Sequence, residues 1–558
     1  MASLTSSKTR TLFAFTSPRT IEKIIPELDI LDKNFSGKDW KSNQVDFFDT
    51  IFESEFYEGK DYPKDPAFAA RDRITRAPKA LGFVQLKPSI QLTKAGKQLV
   101  NQKRLPELFT KQLLKFQLPS PYHTQSAVVN FNVRPYLELL RLINDLGSIS
   151  KNEIALFFLQ MVNYNKFDEI KNEILNFREE RRRNRSVSWK TFVSQEFEKQ
   201  ISIIFSDEIK EKKFKTRESS DVSFKNFLRT KERTMRDYAD AFFRYIRGTE
   251  LVTIDKNLHL RISNLKQDSV NFLLENTNRN ALELSLKEYE NYLFDPDQLT
   301  VLEDDINLIK NKIIFLDDSI DVSVLEIDSA KDLLNNLEVQ RKAKTIEETV
   351  SHLKLRSDID DILEIFTKIK KRDVPDVPLF LEWNIWRAFA ALNHTQAIEG
   401  NFIVDLDGMP LNTAPGKKPD IEINYGSFSC IVEVTMSAGE TQFNMEGSSV
   451  PRHYGDLVRK VEHDAYCIFI APKVAQGTKA HFFNLNRFPT KHYGGKTKII
   501  PMSLDDFISF LQVGITHNFK DINKLKSWLD NLVSFNLESD DEDVWFDEIR
   551  NKIKTWAI

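Results

Sequence analysis

Cysteine is almost absent: the 558-residue chain has two, Cys430 and Cys467. Two thiols cannot build a disulfide framework or a zinc ribbon. Both stand in strand-like apolar runs, as reduced, buried thiols of a cytoplasmic protein do. No run of about 18 apolar residues occurs, so no transmembrane helix is expected. The opening MASLTSSKTRTLFAF is basic and rich in hydroxyls, but its apolar stretch is too short for a secretory core. HExxH, a haem motif and a Rossmann fingerprint are missing as well. Gly495-Lys496-Thr497 looks like the end of a phosphate-binding loop, yet Thr490 stands where that motif needs its first glycine. The nine histidines are scattered, except that His453 lies near a group of carboxylates.

What is present is a globular composition, 41% hydrophobic and 29% charged. The chain is too long for one core, so roughly two to four domains are expected. The net charge of −3 conceals an asymmetry. Residues 1–280 carry 48 Lys+Arg against 36 Asp+Glu, residues 281–375 carry 13 against 22, and residues 376–558 carry 18 against 24. A basic first part suits an anionic partner such as double-stranded DNA, and an acidic last part suits metal binding. Uneven but solvated surface charge is the plainer reading of each segment.

Two stretches of the first part share one order. Residues 67–79 read as a helix, 81–86 as a strand, Lys87-Pro88 as a turn and 90–93 as the returning strand, with a helix over 94–99. Residues 235–246, 251–254, 255–257 and 258–262 repeat helix, strand, turn, strand. This is the winged-helix order, in which a helix faces the major groove and a hairpin lies beside it. Arg71, Arg73 and Arg76 on the first helix, and Arg233 and Arg236 on the second, are the candidates for contacting DNA. Arg244 and Arg247 follow on the second helix. Winged helices also bind proteins, so the pattern alone leaves both uses open. Residues 154–177 have helical apolar spacing and run into the basic segment 178–185, read as a solvated helix end.

Residues 281–375 read as an acidic helical connector, closed by Pro375 and Pro378. A helix over 379–392 then carries Glu382 among Trp383, Trp386 and Phe389. The most informative stretch is 419–454, PDIEINYGSFSCIVEVTMSAGETQFNMEGSSVPRHY. Asp420 follows a proline, Glu433 ends the β-rich run 429–435, and Glu446 lies on a polar segment before Arg452-His453-Tyr454. An unpaired carboxylate in an apolar strand is costly, and a bound divalent cation is the usual remedy. Oxygen ligands suit Mg²⁺, which takes one or two carboxylates, waters and a substrate phosphate. The order Pro-Asp, spacer, Glu-x-Lys resembles the PD-(D/E)xK nuclease core, with Thr435 in the lysine position. Alone, the pattern is weak, because Asp and Glu at this spacing arise by chance in edge strands.

Taken together, these segments resemble the AlwI-type family of type IIS restriction endonucleases, which includes nicking enzymes of the BstNBI kind. The resemblance runs from Ser17-Pro18-Arg19 through 67–84, 92–99 and 111–120. It is strongest at Glu382-Trp383, 418–423, Glu433-Val434-Thr435, Thr441-Gln442-Phe443, Met445-Glu446 and Arg452-His453-Tyr454. It implies a multidomain α+β protein: winged-helix recognition subdomains over 1–280, a helical linker over 281–375 and an α/β PD-(D/E)xK cleavage domain over 376–558. It implies catalytic residues at Glu382, Asp420, Glu433, Glu446 and His453, with Mg²⁺ held by Asp420, Glu433 and the Val434 carbonyl. It also implies cleavage of one or both strands a few base pairs outside a short asymmetric site. Cutting both strands calls for a second copy or a partner subunit acting through the cleavage domain. The competing reading is a DNA-binding regulator whose nuclease-like domain is inactive.

Overall fold

In the computed structural model, residues 10–54, 56–57, 61–122, 130–356, 358–392, 395–414 and 418–557 are described. Residues 1–9, where part of the amino-terminal reading falls, lie outside them. The chain divides into two compact units, Met1–Gln340 and Arg341–Ile558, and the division falls inside the helix Ile327–Leu353. Residues 281–375 are thus shared between the units. Among the described residues no helix is long and apolar enough to cross a membrane.

The first unit is mostly helical and holds the two expected helix–hairpin segments. The first runs through Pro66–Ile74, Ala77–Ala80 and the antiparallel strands Val84–Gln85 and Gln91–Leu92 to the helix Lys94–Val100. The single helix expected over 67–79 is broken at Thr75-Arg76. Pro78 has no N–H to donate and its ring would meet the carbonyl four residues earlier, so a second helix starts around it instead. The second segment runs from Phe224–Arg247 into the antiparallel strands Val252–Ile254 and Leu260–Ile262. The helix expected over 154–177 is also interrupted. It consists of Lys151–Leu156, two short turns and Phe167–Arg183. Between the helices the backbone turns to another strand of chain: Asn132 donates to Val162 and accepts from Tyr164, both at 3.0 Å.

The acidic segment 281–340 is packed into this unit and neutralises much of it. Lys94 pairs with Asp295 (2.9 Å) and Asp297 (2.6 Å), Lys111 with Asp304 (3.1 Å), and Arg104 with Asp328 (3.1 Å). Residues 1–340 carry 52 Lys+Arg against 51 Asp+Glu, so the positive balance of residues 1–280 is largely spent inside the unit. Three buried polar side chains also find their acceptors there. Gln112 Nε2 donates to the Leu293 carbonyl (2.8 Å), Lys115 Nζ to that of Asp295 (2.5 Å), and Gln117 Nε2 to that of Leu282 (2.8 Å). A fragment ending at Arg279 removes all three acceptors, at about 1–3 kcal/mol each, and uncovers the core around Leu293. Such a fragment is expected to lose cooperative urea unfolding, whereas one ending at Gln340 keeps it. Cooperative unfolding of the shorter fragment, followed by circular dichroism, would contradict this packing argument.

The second unit is built on a five-stranded mixed sheet. After helix α1 (Val377–Leu392) come β1 (Ala397–Gly400), β2 (Ile421–Asn424), β3 (Phe428–Val434), helix α2 (Glu440–Lys460), β4 (Asp464–Ala471), helix α3 (Gln476–Arg487) and β5 (Ile499–Ser503). The strands lie in the order β5-β4-β3-β2-β1, with β3, β4 and β5 parallel and β1, β2 and β3 antiparallel. A central strand flanked on both sides and covered on both faces reads as a nearly continuous apolar run. FSCIVEV in β3 and DAYCIFIA in β4 fit this description, and Cys430 and Cys467 are free thiols buried within them. Helix α1 is apolar on nearly all sides and is buried from Leu379 to Leu392. Gly455 in α2 lets the 491–493 turn approach, since a Cβ there would fall 2.9–3.1 Å from the Tyr493 backbone. Thr490 and Gly495 pair across that turn, which is not led by a strand, so the phosphate-loop resemblance has no structural counterpart.

Candidate active site

The site is organised by the β2–β3 hairpin. Asn424 Oδ1 accepts from the Gly426 N–H (2.7 Å) and Gly426 has φ +87°, which lets the chain reverse before Phe428. The antiparallel register pairs Ile421 with Val432. One step further it sets Asp420 opposite Glu433, on one face of the sheet. Asp420 Oδ2 accepts from the Val434 N–H at 2.7 Å. Glu433 is buried, and its Oε1 lies 2.7 Å from His453 Nδ1 on α2.

The other carboxylates arrive on helices. Glu382 is buried on α1, and its Oε2 accepts from the Ala414 N–H (3.3 Å). Glu446 on α2 accepts from the Thr435 hydroxyl and from Ser449 Oγ, the latter at 3.5 Å. Glu446, Ser449 and His453 are spaced three and four residues apart, which puts them on one side of α2. That helix begins at Glu440 because Gln442 anchors it: Gln442 Nε2 donates to the carbonyls of Ser437 (2.9 Å) and Lys473 (3.0 Å), and its Oε1 accepts from the Ala475 N–H (2.7 Å).

Electrostatically the cluster is starved of positive charge. Burial holds Glu382 well above the usual carboxylate range, and the charge of Asp420 adds to this. Burial and then Glu433 do the same to Asp420, and burial and then Glu446 to Glu433. Burial also raises Glu446, against the pull of the Thr435 bond. His453 is lowered by burial and then by Arg452, which favours the neutral ring. Arg452 Nη2 sits 3.5 Å from His453 Nε2. A guanidinium only donates, so Nε2 accepts and Nδ1 carries the proton offered to Glu433.

These donors fit a hard cation. Acidic groups raised by burial, and Glu382, Asp420 and Glu433 also by a neighbouring carboxylate, are what a divalent ion relieves, and Mg²⁺ needs only one or two protein carboxylates. Among the described residues no group of three His, Cys, Asp or Glu side chains converges closely enough to form a complete ligand set. Asp420 and Glu433 are the natural pair, with the Val434 carbonyl at the same strand end.

The structure therefore brings Glu382, Asp420, Glu433, Glu446 and His453 into one neighbourhood, and adds Thr435 and Arg452 to it. The three- and four-residue spacing of Glu446, Ser449 and His453 was the available signal that α2 carries part of the site. Gly447, Pro451 and Gly455 obscured it, because such residues normally interrupt helices. The arginines proposed for DNA are mostly engaged elsewhere. Arg73 pairs with buried Glu27, whose carboxyl burial still pushes up to about 7. Arg76 pairs with Asp72, and Arg71 Nη1 donates to Gln44 Oε1 (2.8 Å). Arg236 donates to Glu232 and Asn152, both at 2.9 Å, and lies over the Phe197 ring. Arg233 is exposed.

A mixed α+β, multidomain chain with a buried carboxylate cluster at the end of a sheet hairpin is the class of protein described so far. The sequence model of the AlwI restriction endonuclease family matches residues 79–510, and the chain belongs to that family, a family of DNA endonucleases. Two solved structures resemble parts of it. The small subunit R.BspD6I2 of the heterodimeric restriction endonuclease R.BspD6I is 28% identical over 35% of this chain and 97% of its own, with a TM-score of 0.30. The BpuJ1 endonuclease binding domain, crystallised with pyrene- and phenanthrene-modified DNA, is 15% identical over 52% of this chain and 94% of its own, with a TM-score of 0.33. No curated protein matches the sequence.

Proposed function

We propose that the protein is a Mg²⁺-dependent type IIS restriction endonuclease of the cytoplasm, with a PD-(D/E)xK cleavage unit. It hydrolyses phosphodiester bonds a few base pairs outside a short asymmetric sequence, in one strand or both. The observation that carries this reading is the gathering of four carboxylates around the end of the β2–β3 hairpin, Glu382 and Glu433 buried and Asp420 and Glu446 half-buried, all raised by burial, with a neighbouring carboxylate adding to the rise of Glu382, Asp420 and Glu433. Asp420, Glu433 and the Val434 carbonyl would hold the ion, which when bound would polarise the scissile phosphate and acidify a water. Asp420 is fixed for this by the Val434 N–H, and Glu433 by the Nδ1 proton of His453. Glu382 faces the pair from α1 and positions a water. Glu446, tied to Thr435, is the base nearest to the missing lysine position. The two helix–hairpin segments act as winged helices on double-stranded DNA, with exposed Arg233 the best placed of the named arginines.

Incubation with plasmid DNA in Mg²⁺ or in EDTA tests the reading. The expected result is cation-dependent cleavage whose run-off sequencing places every end at a fixed offset from one asymmetric sequence. Ends scattered without a common sequence, or cleavage that persists in EDTA, would overturn it.

A further inference from the structure

A phosphodiester in flight between two oxygens gains negative charge, and a site made only of carboxylates repels it. Lysine is the usual source of positive charge in this motif, and Thr435 occupies its place. Thr435 is also already committed, since its hydroxyl bonds to Glu446. A positively charged side chain beside the metal must therefore come from another element.

Arg452 on α2 is that element's cation. Its Nη2 lies 3.5 Å from His453 Nε2, and the other nitrogen of the same ring is 2.7 Å from Glu433 Oε1. The guanidinium is thus about one imidazole ring from the carboxylate pair. It is half-buried, and among the described residues no carboxylate lies within ion-pair distance of it. A half-buried arginine beside acidic groups but paired with none of them is positioned for an anion that arrives from outside. Among the groups acting on Glu433, Arg452 is the one that opposes the rise caused by burial and Glu446.

Building on the endonuclease reading, we propose that Arg452 is a catalytic residue that grips the scissile phosphate through two guanidinium N–H groups, replacing the lysine absent at Thr435. A fork of two parallel donors matches two phosphate oxygens, and it neutralises the charge that grows in the transition state. His453 Nε2 holds the guanidinium in place until the DNA enters.

Arg452→Gln and Arg452→Lys, with Glu433→Gln as control, test this in the full-length protein. Three quantities are read: the single-turnover cleavage rate at saturating enzyme, the affinity for site-bearing DNA in Ca²⁺, and the melting shift on adding Mg²⁺. R452Q is expected to cut about 100-fold more slowly, with its DNA affinity within about threefold of wild type and its Mg²⁺ shift intact. R452K, which keeps the charge and loses the fork, is expected between the two. R452Q cutting at the wild-type rate, or losing the Mg²⁺ shift along with the rate, would overturn the assignment, as would R452K cutting no faster than R452Q. If R452Q does not fold, R452K decides: slowed cleavage with intact affinity and Mg²⁺ shift supports the contact, and a wild-type rate removes it. Wild-type cutting by E433Q would instead bring down the underlying active-site reading, so the two failures are distinguishable.

Discussion

Glu433→Gln is expected to lower cleavage by at least about 1,000-fold while raising the melting temperature of the metal-free protein at pH 7. Both effects have one cause. Glu433 is buried, and burial and Glu446 raise its carboxyl well above the unfolded value. A raised carboxyl binds its proton more tightly in the folded state than in the unfolded chain. Its contribution to stability is therefore fully present below the ordinary carboxylate range and is lost as pH rises through the raised value. Above the ordinary carboxylate range folding must either bury these charges or take up protons, so at pH 7 the cluster works against folding. Glutamine removes one charge and keeps an Oε1 that can accept from His453 Nδ1, so the hairpin and α2 stay in place. Each kcal/mol recovered is worth about 2–4 °C in a unit of this size. The gain should shrink as pH falls toward about 4, where wild-type carboxyls are protonated too. Divalent cations should raise the wild-type melting temperature and leave E433Q nearly unmoved, because a ligand stabilises only the state that binds it. Scanning calorimetry at pH 5 and 7, with EDTA and with Mg²⁺ or Ca²⁺, checks the prediction. A lower melting temperature for metal-free E433Q at pH 7 would mean that Glu433 is held by partners that stabilise its charge, and would take the cation argument with it.

On a one-site plasmid, nicked circles are expected to precede linear DNA almost completely at low enzyme. Among the described residues the chain has one hairpin that sets an Asp opposite a Glu in this way, between β2 and β3. One such site hydrolyses one bond at a time. A second strand must wait for another catalytic unit, from a second copy or a partner subunit, or for a second visit. Recruitment of a second copy follows mass action, so a tenfold dilution lowers a transient pair by about a hundredfold. The nicking rate should therefore scale with enzyme and the linearisation rate more steeply. Time courses over a range of enzyme concentrations read this from gel band intensities. Linear DNA appearing without a nicked intermediate, at a rate first order in enzyme, would point to a preformed dimer and sink the one-site argument.

The sequence by itself determined the strands and the acids on them. An apolar run with one carboxylate near its end is visible locally, because burying that charge is costly wherever the strand is placed. β3 and β4 therefore appeared where FSCIVEV and DAYCIFIA stand, and α1 where the aromatics around Glu382 stand. Turn chemistry located both hairpins of the first unit for the same local reason. Tertiary structure decided what depends on partners distant in sequence. β1 and β5 are short edge strands whose pairing, not their composition, makes them strands. Helix α2 forms through Gly447, Pro451 and Gly455 because Gln442 anchors its start, and only then do Glu446, Arg452 and His453 face Glu433. The positive balance of residues 1–280 is neutralised by acids from 281–340, since ion pairs form through space. Local propensity is worth tenths of a kcal/mol per residue, and burial, register and charge pairing across the fold outweigh it.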